Sequence, residues 1–225
     1  MAKKIKGEDG KIYKVKKPFY KRLWFIILAF IVVVGIIGSI GGGDSDGSSG
    51  SSTSESSQPQ EYVYYEKKDD ATDNENAAAK QAVSYIKTVH LSRQGVYDQL
   101  MQMHDYTAEE CQFAVDNITC DWNQVALEKA QSYIDGQSFS QRGLYDQLTS
   151  TFEGFTAEEA QYAIDNVNAD WNAEALEAAE SYYNTMNMLG QELYNQLISD
   201  YGNKFTAEQA QYAVDNLDPE KLDAQ

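Results

Sequence analysis

The chain has 225 residues, and its 18 Lys and Arg against 35 Asp and Glu give a formal net charge of −17. A surface this acidic repels nucleic acid, whose phosphates need basic side chains to displace their counterions, so a nucleic-acid-binding role is excluded. The charge is also unevenly placed. Nine basic residues against Glu8 and Asp9 fall within the first 22 positions, whereas from Asp44 onward nine basic residues face 33 acidic ones, and the natural partners of that larger part are basic.

After the basic segment 1–22 comes LWFIILAFIVVVGIIGSI, without a charge from Leu23 to Ile40. At about 1.5 Å per residue it nearly crosses a hydrocarbon core of roughly 30 Å, and three glycines complete a predicted transmembrane helix over 23–43. Trp24, Phe25, Leu28, Phe30, Val33, Ile36 and Ile40 are its anchoring side chains. Lys14, Lys16, Lys17, Lys21 and Arg22 immediately before it hold the N-terminus in the cytoplasm, so a single span puts the rest outside the cell. The competing reading is a cleaved signal peptide, against which the long charged region and wide apolar run both count.

Residues 44–76 open with a Gly/Ser-rich stretch almost free of apolar side chains, and they are assigned to a disordered, acidic tether. Tyr62, Tyr64 and Tyr65 within it read as an incidental aromatic patch, with a short docking strand as the alternative.

From residue 77 the sequence repeats itself three times, over 77–123, 124–172 and 173–225. Tyr85, Tyr133 and Tyr182 recur; so do segments resembling YDQL from Tyr97, Tyr145 and Tyr194, and YTAEECQFAVDN, FTAEEAQYAIDN and FTAEQAQYAVDN from Tyr106, Phe155 and Phe205. The expected fold is all-α, with three short helices in each repeat of about 48–50 residues. The first helix has an inner face at Ala79, Ala82 and Ile86, at Leu127, Ala130 and Ile134, and at Leu176, Ala179 and Tyr183. Its start is predicted at Asn123 and Asn172 as N-caps, with Trp122 closing over Leu127. The second helix pairs Val96 with Leu100, Leu144 with Leu148, and Leu193 with Leu197, behind Ser92 and Ser140 as caps. The third begins with a capping box at Thr107 and Glu110, Thr156 and Glu159, and Thr206 and Gln209, and ends at Asn117, Asn166 and Asn216 as left-handed caps.

Cys111 and Cys120 fall on small-residue positions of the repeat and read as apolar fillers rather than a disulfide. His90 and His104 do not recur between repeats, and no metal-ligand spacing or phosphate loop is present. The expectation is therefore a protein that is not an enzyme and needs no metal or cofactor.

What does recur is an outer stripe on the third helix: Glu109, Phe113 and Asp116; Glu158, Tyr162 and Asp165; Glu208, Tyr212 and Asp215. Offsets of four and seven put each trio on one face. One reading packs the aromatic on the hydrophobe past the Asn cap and leaves the acids to solvent. The other makes an aromatic flanked by carboxylates a contact unit for a Lys- or Arg-bearing partner.

The blocks SQRGLYDQLTS, FTAEEAQYAIDN and DWNAEALEAAESY resemble the repeat of the Ltp-like, host-cell-surface-exposed lipoproteins of Gram-positive bacteria and their prophages. That resemblance covers 77–225 and implies compact helix-turn-helix-like repeats in tandem on the outer face of the membrane. It also implies superinfection exclusion, in which DNA of an incoming phage is kept out by contact with a tail component such as the tape-measure protein. The chain departs from the family name in lacking a lipidated Cys after its apolar run. A structural or cell-wall-associated surface protein without a phage role is the alternative.

Overall fold

The computed structural model describes residues 62–223 and, as a separate unit, the backbone of two short strands, β1 (Lys4–Lys6) and β2 (Ile12–Lys14), paired antiparallel with Ile5 opposite Tyr13. The expected membrane helix over 23–43, with its anchors from Trp24 to Ile40, and the tether over 44–61 lie outside the described residues. Among the described residues no helix is long and apolar enough to cross a membrane.

Nine helices in three sets of three form the body. They are α1 (Asp73–Val89), α2 (Arg93–Met103) and α3 (Ala108–Asn117); α4 (Trp122–Ile134), α5 (Gln141–Leu148) and α6 (Ala157–Asn166); α7 (Trp171–Met186), α8 (Gly190–Ile198) and α9 (Ala207–Asn216). A short turn of helix, α10 (Pro219–Asp223), follows. In every repeat the first helix packs along the third. Both present small side chains there: Ala78, Ala79 and Ala82 with Cys111 and Ala114, and Ala126 and Ala130 with Ala160 and Ala163; in the last repeat, Ala175, Ala178 and Ala179 with Ala210 and Ala213. Small residues let two helix axes come to the near end of the usual 8–10 Å spacing. The second helix closes each unit with a fully buried i, i+4 pair, Val96 and Leu100, Leu144 and Leu148, or Leu193 and Leu197, each side chain contributing about 1.5–3 kcal/mol by burial.

The inner face of the first helix is turned from its expected position in the later repeats. Val125, Ala126 and Ala130, then Ala175, Ala178 and Ala179, are buried, while Leu127, Ile134, Leu176 and Tyr183 are only partly covered. The N-terminus also differs from the expected one. Asp121 and Asp170, not Asn123 and Asn172, are the N-caps, their carboxylates accepting from the amides two and three residues on at 3.0–3.2 Å. Trp122 and Trp171 are thus the first helical residues, and a staple from outside the cap over Leu127 is not the arrangement formed.

The capping boxes at Thr107, Thr156 and Thr206 form as expected, the Gln209 version included, and Ser92 and Ser140 cap the second helices. The Asn ends are different. Asn117, Asn166 and Asn216 are the last helical residues, and each side-chain amide donates 2.8 Å to the carbonyl four residues back. The residues after them, Ile118, Val167 and Leu217, are extended, so no left-handed cap forms. Among non-glycine described residues, positive φ occurs at His90, Asn187 and Lys204.

Ordered chain also begins earlier than composition suggests. Residues 62–76 are folded: β3 (Val63–Tyr64) pairs antiparallel with β4 (Thr119–Cys120), Val63 is fully buried, and α1 starts at Asp73 on a capping box of Thr72 and Glu75. Asn76, 4% exposed, ties the strap down. Its amide donates to the carbonyls of Lys68, Ala71 and Thr72, and its Oδ1 accepts from Lys68 N at 3.0 Å and Tyr65 Oη at 2.8 Å. The docking strand is the arrangement formed. Cys111 and Cys120 are free thiols, and burial pushes that of Cys120 up to about 12.

Adjacent repeats are joined by one device used twice. The N-cap serine of a second helix donates its hydroxyl to a carbonyl in the loop ahead of the next repeat's third helix, Ser92 to Glu153 and Ser140 to Asn203, each at 2.5 Å. Gly154 and Lys204, the residues after those carbonyls, both take left-handed backbone. A side chain on Gly154 would put its Cβ 3.1 Å from Ser92 Oγ, a tight approach that glycine avoids, on the left-handed backbone that Lys204 adopts at the second junction. The first two repeats share one continuous core, and the third has its own.

The second junction contains a buried acid. Glu174, 8% exposed, accepts from the Phe139 amide at 3.0 Å. Desolvation raises its pKa above the ordinary value; that hydrogen bond opposes the shift, and Glu177 and Asp170 add to it. A raised folded-state pKa means that folding takes up a proton in the window just above the unfolded value. Stability from this group is therefore present at low pH and lost as pH rises through the folded pKa. Glu174→Gln, which keeps an acceptor for Phe139, is expected to raise the melting temperature near pH 7 and to leave it almost unchanged near pH 4, a comparison that thermal denaturation at the two pH values makes directly.

Candidate functional site

The capping box fixes where each third helix begins, and the alanine stripe fixes which side faces inward. Glu109, Phe113 and Asp116 and their counterparts are therefore held outward by the same local chemistry three times. Glu109, Asp116, Glu158, Asp165, Glu208 and Asp215 are exposed; Phe113 is half-buried, and Tyr162 and Tyr212 are 38% and 41% exposed. In each repeat a Gln four residues before the Asp donates its amide to the carboxylate: Gln112 to Asp116 at 2.9 Å, Gln161 to Asp165 and Gln211 to Asp215 at 2.8 Å. This i, i+4 bond orients an acid that otherwise opposes the helix dipole in the last turn.

The three stripes are not in the same state. In the first repeat the chain supplies its own cations. Arg93 donates from Nη2 to Asp116 Oδ1, and Lys68 lies over the Phe113 ring, 5.9 Å from its centroid, while hydrogen-bonding Asn117 Oδ1. Among the described residues no Lys or Arg lies on Asp165 or Asp215. The position of Arg93, first in its helix, is Gln141 in the second repeat and Gly190 in the third. Sequence reasoning found the stripe and missed its first occupant, because Arg93 lies 23 residues away on another helix. The signal was available as a difference between repeats at one aligned position.

A second polar cluster went unpredicted, inside the first junction. Lys129 pairs with Glu153 at 3.2 Å, with the two side chains 16% and 3% exposed; Tyr133 Oη also donates to Glu153, and Gln147 donates to Tyr133 Oη at 3.2 Å. Burial, the Glu153 charge and the hydrogen bond to Glu153 raise the Tyr133 pKa against the opposing bond from Gln147, which keeps the phenol a donor. At the aligned positions of the third repeat Tyr182 donates to Asn203 Oδ1 at 2.7 Å, and in the first Tyr85 meets His104 Nε2 at 2.9 Å. His90 Nε2 stands 3.3 Å from Glu128 across the first junction, and burial outweighs that carboxylate and lowers its pKa. These groups join elements to one another.

Outward-facing acids and aromatics on a tandem array of three-helix repeats define an acidic, all-α tandem-repeat protein. A family model described as host cell surface-exposed lipoprotein, Ltp, matches residues 73–118, 121–167 and 170–217, well over half of the chain, and the chain belongs to that family. Its matches begin at α1 and put Asp73 to Asn76 in the first repeat, in agreement with the folded strap. Among solved structures, Ltp, a superinfection exclusion protein from the Streptococcus thermophilus temperate phage TP-J34, is similar at 37% identity, with 44% of this chain and 99% of that chain covered and a TM-score of 0.42. No curated protein matches the chain.

Proposed function

We propose that this chain is a surface-displayed, non-enzymatic binding protein that excludes superinfecting phage. Its acidic repeats contact a basic segment of a tail protein, of the tape-measure type, and stop passage of the phage DNA into the cell. The observation that carries the reading is the thrice-built stripe, whose first copy already holds a lysine and an arginine of this chain while, among the described residues, no Lys or Arg lies on the acids of the second and third. Membership in a family of surface-exposed proteins supports the location. The charge-free run 23–40 behind a basic segment supports a single span with the repeats outside. Contact with cell wall is compatible with the same placement.

The test is the plating efficiency of a phage panel on an isogenic host with and without the gene. At least one phage is expected to lose plaques by orders of magnitude while adsorbing normally; equal plating for every phage would leave the structural or envelope-associated role as the better account. Protease treatment of intact cells checks topology, since it should remove the repeats and spare the basic start.

A further inference from the structure

The first and third repeats differ at one position in a way that leaves a hole. In the first, Arg93 opens α2 and reaches across to Asp116 on α3, whose other carboxylate oxygen is held by Gln112. In the third, the aligned residue is Gly190. Gly190 takes left-handed backbone, unlike Arg93, and a Cβ placed there meets nothing within 4 Å, so this end of the helix carries no side chain and is open to solvent. An open groove of about 390 Å³ lies at this spot, lined by Gly190, Gln191, Tyr194, Gln211 and Val214. Its wall residues Gln211 and Val214 are the counterparts of Gln112 and Val115 beside Asp116. Asp215, hydrogen-bonded to Gln211 on that wall, is the counterpart of the Arg93 acceptor.

We infer that this groove is a receptor for an arginine side chain of the partner, which completes in the third repeat the guanidinium-carboxylate contact that the first repeat makes within itself. The inference rests on the proposed binding function and deepens it by naming the residue type and the repeat that receive the partner. The surroundings of the groove favour an arginine. The counterpart acid Asp116, held by the counterpart Gln112, accepts from a guanidinium elsewhere in this chain. The residue aligned with Arg93 is Gly190, which lines the groove and supplies no cation of its own. Its surroundings are acidic enough to favour a cation, and a planar guanidinium suits a carboxylate fixed by a neighbouring amide. Tyr194 on the wall and Tyr212, exposed one helical turn before Asp215, offer rings on which such a group stacks.

The experiment uses the full chain in detergent and a short labelled peptide of alternating Arg and Gly, followed by fluorescence anisotropy. Its partner probe replaces Arg by citrulline, which has the same shape without the charge. The Arg peptide is expected to bind and the citrulline peptide to bind at least tenfold more weakly. Asp215→Asn, an exposed change at a helix end that leaves the fold intact, should weaken the Arg peptide about tenfold, the size of one charge-assisted hydrogen bond. Arg93→Ala should free Asp116 and raise the binding capacity by one peptide per chain. Equal binding of the two peptides, or an Asp215→Asn chain that binds as the parent does, overturns the inference; so does a capacity unchanged by Arg93→Ala, because the two grooves would then not be equivalent. Peptide binding that depends on Asp215 in a chain without effect on phage plating would locate the failure in the exclusion role and leave the groove standing.

Discussion

Lys129→Ala is expected to destabilise the first two repeats by about 3–5 kcal/mol, the cost of stranding one partner of a buried ion pair. Glu153 is 3% exposed, and without the ammonium its charge keeps only the Tyr133 hydroxyl as a side-chain donor. The same change removes the donor to the Val89 carbonyl, 3.5 Å away in the first repeat, so the junction loosens together with the core. Denaturant titration should show the midpoint falling steeply. Lys129→Met combined with Glu153→Gln should recover most of the loss, because an apolar stem and a neutral amide leave no buried charge. The third repeat already works this way: Ala178 and Asn203 stand at the aligned positions, and Tyr182 donates to the Asn203 amide oxygen. A single mutant with parental stability would mean that Glu153 is hydrated in solution.

The second large effect concerns the stripes. Asp165→Lys with Asp215→Lys should abolish phage exclusion, at least a hundredfold in plating, since a like charge set against a basic partner costs several kcal/mol and also removes the steering field. Asp116→Asn should do far less, because Arg93 already occupies that acid. The double reversal lies on exposed helix ends and leaves both cores intact, so far-ultraviolet circular dichroism should be unchanged. Binding to the isolated partner should weaken with added salt, as expected for exposed charges within a screening length of about 8–10 Å. Equal exclusion by the reversed chain would clear the stripes of any part in the contact.

The helices were legible from the sequence because their determinants are local. A capping box needs only Thr and Glu three apart, and the buried pairs of the second helices need only leucines or valine four apart, so Thr107 with Glu110 and Leu144 with Leu148 fell where expected. Errors arose where a residue has two local uses. In Asp121-Trp122-Asn123 both polar residues can cap, and it is Asp121 that does; along the same helix the smaller Ala126 is buried against the third helix and Leu127 only partly covered. Asn117, Asn166 and Asn216 suit a left-handed backbone, yet each spends its side chain on the carbonyl four residues back. The strap at 62–72 escaped composition altogether, since its order depends on one buried Val63 and on the polar contacts of Asn76, both tertiary. The candidate site was legible as a pattern of exposed acids and aromatics. Its occupancy was not, because pairing of Arg93 with Asp116 and of Lys68 with Phe113 depends on how separate segments meet.

A block after adsorption, by contact outside the cell, is the expected outcome. Labelled phage DNA followed into cells after adsorption measures this most directly. Cells carrying the chain should bind the phage as well as control cells do, and the label should stay outside. DNA passing inward at the control rate in cells that display the intact repeats would contradict it.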